Sequence, residues 1–316
     1  MLSVTIFFFS CEKKELSAPK YNRGDVLLAQ VNMTSNYKNQ IWFSLSENMI
    51  ISTNYKTDWD IAFESSNGGN RVILNSALGM RSYKTNYTQL SEVTDTTGLG
   101  AGEIIDSPTG NLDSTAIGNW YANNTVYIIN RGYSETGQVL GFYKLKIVSV
   151  SASTFAIEYA NIFGTQTYQA IITKSDQYNT NAYSFTTHQQ INIEPLKTNY
   201  DLCFTQYTHV FHEPFQYYQV TGVLGNMYNT RVIKITDKPF SEITMSDTLN
   251  RVFNYHKNSI GYDWKEFDLN SNLFTVNPNI SYIINDSKGF YYKLHFVDFY
   301  NSQGIKGYPT FEFKKM

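Results

Sequence analysis

Hydrophobic and polar residues alternate in short runs along this chain, and Gly, Asn, Asp, Ser and Pro bound the runs. A period of two sends successive side chains to opposite faces of a strand, so such runs predict half-buried strands. Residues 25–33, 40–45 and 49–51 make the first three. The alternation is cleanest in Trp59-Asp60-Ile61-Ala62-Phe63-Glu64. It puts Trp59, Ile61 and Phe63 on one face and Asp60, Ala62 and Glu64 on the other. Further strands are expected at 71–77, 124–130, 139–150, 154–160, 167–173, 182–187, 190–193 and 231–236. Four more close the chain, at 273–276, 281–284, 291–299 and 310–314. Residues 94–113 read as a Gly-, Thr- and Asp-rich loop, and 241–253 as a short helix or loop. No segment keeps a 3.6-residue apolar period over a helix length. The expected class is all-β: mainly antiparallel sheets with few short helices.

One stretch of this pattern occurs twice. Thr57-Asp58-Trp59-Asp60-Ile61-Ala62-Phe63 returns as Thr198-Asn199-Tyr200-Asp201-Leu202-Cys203-Phe204. Its flanks return too, in the same order. Ile117-Gly118 with Trp120 matches Ile260-Gly261 with Trp264. Tyr127-Ile128-Ile129-Asn130 matches Tyr282-Ile283-Ile284-Asn285. Gly141-Phe142-Tyr143 matches Gly289-Phe290-Tyr291. The spacing predicts two tandem related β units of roughly 140–150 residues, the size of a domain and far longer than a solenoid repeat. The expected division is 23–175 for the first unit and 176–316 for the second.

Composition agrees with this class. Charged residues are 16% of the 316 positions, below the usual quarter, while Tyr (25) and Phe (21) are abundant. Aromatic and β-branched side chains suit pleated, half-buried surfaces. A net charge of −2 argues against a nucleic-acid surface, which needs a basic stripe to displace counterions. Two cysteines cannot build a disulfide framework. Cys203 replaces Ala62 in the repeat, so it reads as a small buried thiol.

The amino terminus carries a different signal. Residues 2–9 are apolar except for Ser3 and Thr5, and Ser10-Cys11 follows. The run is too short to span a bilayer and resembles the end of a secretory signal peptide. A small residue before a cysteine, after such a run, resembles a bacterial lipoprotein signal. That resemblance implies cleavage before Cys11 and lipidation of its thiol, with residues 1–10 as signal segment and 11–22 as tether. No Lys or Arg precedes the apolar run, which departs from the usual pattern. Glu12-Lys13-Lys14-Glu15 after the cysteine resembles the address of an outer-membrane lipoprotein exposed on the cell surface.

Three stretches resemble a known family. Asp58-Trp59-Asp60-Ile61-Ala62-Phe63, with Gly289-Phe290-Tyr291-Tyr292-Lys293-Leu294 and Gly307-Tyr308-Pro309-Thr310-Phe311, resembles the HmuY-like haem-binding lipoproteins of Bacteroidota, here in a tandemly duplicated form. The resemblance implies a β-rich surface protein that binds haem or a related porphyrin non-covalently. It would pass its cargo to an outer-membrane transporter and catalyse no reaction. It also implies axial iron ligands, His or Met, between the Trp-Asp motif and the terminal strands.

Haem iron takes one or two axial donors within an apolar slot. The histidines are His188, His209, His212, His256 and His295, all in the second unit by the division above. His256 follows Tyr255 and lies near Phe253 and Tyr262. It and Met245 are the leading axial candidates, with His209 and His212 weaker. On a strand, positions i and i+3 face opposite sides, so a metal shared by His209 and His212 would need a turn, which Pro214 allows. The zinc signature His-Glu-x-x-His and the nucleophile elbow Gly-x-Ser-x-Gly are absent. Gly98-x-Gly100-x-Gly102 has no strand before it and no helix after it, so it is not a nucleotide loop. Asp58 and Asp60 share a strand face, but only the second survives in the repeat, as Asp201. A retained strand aspartate reads as a hydrogen-bond acceptor before it reads as a catalyst. The competing reading is a surface protein that binds a protein partner or a glycan through its β units.

Overall fold

A computed structural model describes residues 24–99 and 102–316. The signal segment, Cys11 and the tether lie outside the described residues. The strands in chain order are β1 (Leu27–Gln30), β2 (Asn39–Ser44), β3 (Met49–Tyr55), β4 (Ile61–Glu64), β5 (Val72–Leu74), β6 (Arg81–Lys84) and β7 (Tyr127–Asn130). There follow β8 (Phe142–Val150), β9 (Thr154–Asn161), β10 (Thr167–Thr173), β11 (Thr180–Ser184), β12 (Gln189–Ile191), β13 (Leu202–His212) and β14 (Phe215–Gly225). The last are β15 (Arg231–Ile235), β16 (Lys265–Asp268), β17 (Leu273–Val276), β18 (Ser281–Asn285), β19 (Tyr291–Tyr300) and β20 (Lys306–Lys315). Helical structure among the described residues is confined to a single turn at Trp120–Asn123 and short 3-10 turns. The chain is all-β and antiparallel.

Four sheets carry the fold. The sheet β10-β9-β8-β7-β6 packs on β12-β11-β4-β5, and β1-β20-β19-β18-β15 packs on β14-β13-β2-β3. The first sandwich encloses Ile61, Phe63, Tyr127, Leu145, Phe155 and Phe185. The second encloses Phe43, Leu202, Phe204, Leu294, Phe311 and Phe313. The strand orders correspond one to one: β12-β11-β4-β5 matches β3-β2-β13-β14. The repeated stretches occupy equivalent places in this scheme. Gly118 and Gly261 both hold positive φ, at 58° and 71°, a conformation that only glycine adopts without cost. Trp120 and Trp264 after them are both buried.

Strand pairing groups the chain differently from a linear division at residue 175. β4 to β12 form one sandwich from a continuous stretch. β1 to β3 belong with β13 to β20: β1 pairs with β20, and β2 pairs with β13. Each hairpin that precedes a copy of the motif therefore pairs with the other copy's strand. Alternation states which face a residue takes, but it does not state which strand lies beside it.

The repeated aspartate makes this pairing specific. Asp60 Oδ2 accepts the Phe185 N–H at 2.6 Å, and Asp201 Oδ2 accepts the Leu45 N–H at 2.8 Å. Both donating residues lie just past the partner strand, β11 or β2. Asn75 and Asn226 repeat as well. Asn75 donates to the Lys56 and Trp59 carbonyls, and Asn226 to those of Lys197 and Tyr200. These bonds hold the chain in a bend before each motif strand. The bend changes one expectation. Trp59 precedes the strand and does not share the face of Ile61 and Phe63. It lines small cavities between the halves together with Trp42, Ile73 and Tyr200, and its indole N–H donates to Gln40 Oε1 at 2.9 Å.

The halves differ in how they compensate the aspartate. Arg131 grips Asp60 through Nε at 2.7 Å and Nη2 at 3.1 Å, and also donates to Thr186. In the second half the residue after the matching Asn285 is Asp286. Asp201 Oδ1 there accepts only a backbone N–H, from Ser287 at 3.0 Å. Asp286 is 2% exposed, and its Oδ2 is buried without a partner. Burial raises its pKa from 3.8, and the Asp201 carboxylate raises it further.

Two outcomes follow. Asp60→Ala strands the buried Arg131 and should cost about 3–5 kcal/mol in denaturant unfolding. Asp286→Asn should raise the melting temperature at neutral pH. The folded state holds the Asp286 proton more tightly than the unfolded chain does. Stability from this group is therefore present at low pH and falls as pH rises from 3.8 through the raised folded value. Melting curves across pH should show that fall in the parent and a flatter profile in the Asn variant.

Candidate functional site

β13 and β14 form the longest hairpin, eleven residues on each side, closing on Glu213-Pro214. β2 accompanies β13 only as far as Phe204. Beyond that point the hairpin leaves its sheet and leans on the first half. Thr208 Oγ1 and Gln219 Nε2 both donate to the Ser76 carbonyl, at 3.1 and 2.8 Å. The loop at 104–115 faces the outer part of the hairpin.

An open groove of about 480 Å³ lies between them. Ile104, Ile105 and Pro108 form one wall, His212, Phe215 and Tyr217 the other. Asn258 reaches its rim. His209 packs edge-on against Phe211 and Tyr262, with ring centroids 4.9 Å away in each case. Its Nδ1 is buried and has no hydrogen-bond partner. Burial lowers the His209 pKa from 6.5, and proximity to His212 lowers it further, against an opposing pull from Asp263. The neutral imidazole, the form that ligates a metal, is therefore favoured. An apolar aromatic slot of this size with a few convergent polar groups suits a flat organic ligand.

The structure separates the sequence candidates. His209 and His212 both border the groove, but the His209 ring lies with Phe211 and Tyr262 on the other face of β13 from His212, Phe215 and Tyr217. Met245 is half-buried in a 3-10 turn, and His256 is exposed on a loop. Neither lines any of the clefts described here, although the His256 loop arrives at the groove two residues later, at Asn258. The other histidines are engaged elsewhere. His188 stacks on Tyr168 at 3.9 Å and bonds Tyr159 at 2.8 Å, while His295 pairs with Glu312 at 3.0 Å. The wall at 104–115 escaped the sequence reading because it bears neither His nor Met. Its apolar Ile104-Ile105 beside Pro108 was the available signal.

Other chemistry is accounted for by packing. Among the described residues no group of three His, Cys, Asp or Glu is placed to hold a metal ion. Asp58 accepts the Tyr55 N–H in a turn, so it and Asp60 do not form a catalytic pair. Cys203 is buried and free, its pKa pushed up to about 12 by burial. Between the halves lie two small cavities of about 80 and 50 Å³, bordered by Trp42, Trp59, Tyr200, Met227 and Lys257. They are too small for a porphyrin. No helix of the described residues is long and apolar enough to cross a membrane.

No curated protein matches the chain. Among solved structures it resembles apo PinO from Porphyromonas gingivitis at 10% identity and a TM-score of 0.35, covering 93% of this chain and 98% of that one. It also resembles an HmuY-like heme binding protein from Bacteroides vulgatus (11%, TM-score 0.25, 92% and 94% covered). A third is the apo HmuY analog from Tannerella forsythia (9%, TM-score 0.23, 94% and 99% covered). These likenesses are too distant to carry a ligand from one protein to another. The sequence model of the HmuY protein family matches residues 36–313, one match running through both halves, and the chain belongs to that family.

Proposed function

We propose that this protein is a carrier that binds haem or a related porphyrin non-covalently in the groove between the β13–β14 hairpin and the 104–115 loop. The observation that carries the reading is the groove itself, with Ile104 and Ile105 on one wall and His212 on the other beside the Phe215 and Tyr217 rings. His212 would supply the axial nitrogen, and His209 borders the groove from the other face of β13. Ile104, Ile105 and Tyr217 would cover the porphyrin face. Bound haem would supply an iron centre that stays ligated and performs no reaction. Family membership supports the reading. It also supports a lipid anchor at Cys11, an outer-membrane, surface-exposed location and hand-over to an outer-membrane transporter.

The test is a haem titration followed by the Soret band and by quenching of the tryptophans. His212→Ala should weaken binding by about tenfold or more, the loss of one good donor. His256→Ala and Met245→Ala should change it little. Absence of both a Soret shift and quenching would sink the proposal. If His256→Ala has the large effect, the ligand site moves to that loop.

A further inference from the structure

A second cleft, of about 310 Å³, opens where the two halves meet nearer the base of the same hairpin. It is lined by Tyr37, Lys56, Tyr133, Glu135, Gln206 and Gln219, among others. Both halves contribute: Tyr133 and Glu135 come from the turn after β7, Gln206 and Gln219 from β13 and β14. Lys56 directly precedes the first copy of the motif. It is 5% exposed, whereas its counterpart in the repeat, Lys197, is only half-buried.

The polar groups here are left unmatched. An ammonium has three protons to donate. Lys56 Nζ meets one acceptor, Gln206 Oε1 at 2.7 Å. Gln219 spends its Nε2 on the Ser76 carbonyl and Thr208, and its Oε1 is buried without a donor. Spare donor and spare acceptor thus border one cleft, and leaving either unmade costs free energy.

The mismatch selects a ligand class. A phosphate or carboxylate would satisfy Lys56 but would meet the Glu135 carboxylate and the lone pairs of Gln219. An ammonium would satisfy those and be repelled by Lys56. A hydroxyl donates and accepts at once, so neighbouring hydroxyls match both. The Tyr133 ring, 54% exposed, offers an apolar face beside these polar groups. A pyranose combines a hydroxyl edge with a flat C–H face. We propose that this junction cleft is a carbohydrate site, taking a neutral pyranose with its hydroxyls on Lys56 and Gln219 and its ring against Tyr133.

Saturation-transfer NMR on the full chain tests this, with the methyl glycosides of glucose, galactose, mannose and N-acetylglucosamine as probes. At least one should receive saturation. Lys56→Met should weaken it by about tenfold or more, and Tyr133→Ala by about fivefold. Inorganic phosphate and methylammonium should not compete. Tyr133 and Glu135 lie on a surface turn, so Tyr133→Ala and Glu135→Gln remain informative if Lys56→Met fails to fold. The proposal is overturned if no glycoside binds, if binding ignores Lys56→Met and Tyr133→Ala, or if phosphate competes. The same variants should titrate haem as the parent does, so a failure here leaves the haem reading standing.

Discussion

A carboxylate buried in a β-sandwich must be matched, or it destabilises the fold by several kcal/mol. This protein uses that constraint to choose strand partners. Asp60 and Asp201 each sit at the start of a central strand, and each takes the first backbone N–H beyond the neighbouring strand. A hairpin shifted by one residue would present no N–H there and would turn its apolar face outward. The aspartate therefore fixes register for a pairing between segments more than a hundred residues apart. The sheets, the two cores and the cleft between the halves follow from that pairing.

The two halves keep the aspartate and diverge around it. Arg131 neutralises Asp60, while Asp286 stands beside Asp201 and is held by backbone N–H groups alone. Divergence also marks both proposed sites. The long β13–β14 hairpin has no equal in the first half, where the matching β5 is three residues long. The outer part of that hairpin carries His212, Phe215 and Tyr217, and the inner part Gln206 and Gln219. The repeat supplies the frame, and the unequal hairpin supplies the surfaces.

Much of the frame was legible in the sequence. Period-two alternation found the strands, and the twofold motif found the aspartate and the small residue that became Cys203. Three things were not legible. The exchange of hairpins depends on long-range partners, which alternation does not encode. Trp59 turns away from Ile61 because Asn75 pins the bend before the strand, a tertiary bond. The groove beside His212 is closed by a loop some hundred residues earlier that carries neither His nor Met, so no local pattern announces it.

The pairing of β1 with β20 and β2 with β13 also orders events during synthesis. The stretch from β4 to β12 can close on itself once residue 191 has emerged. The first three strands must wait, their edges unpaired, until residues 202–212 and then 306–315 arrive. Non-local pairing of this kind is slow and leaves aggregation-prone edges exposed meanwhile. A chain stopped before its last strand would hold one finished sandwich and one open one. Removal of the final ten residues should thus unmake the beginning of the protein as well as its end.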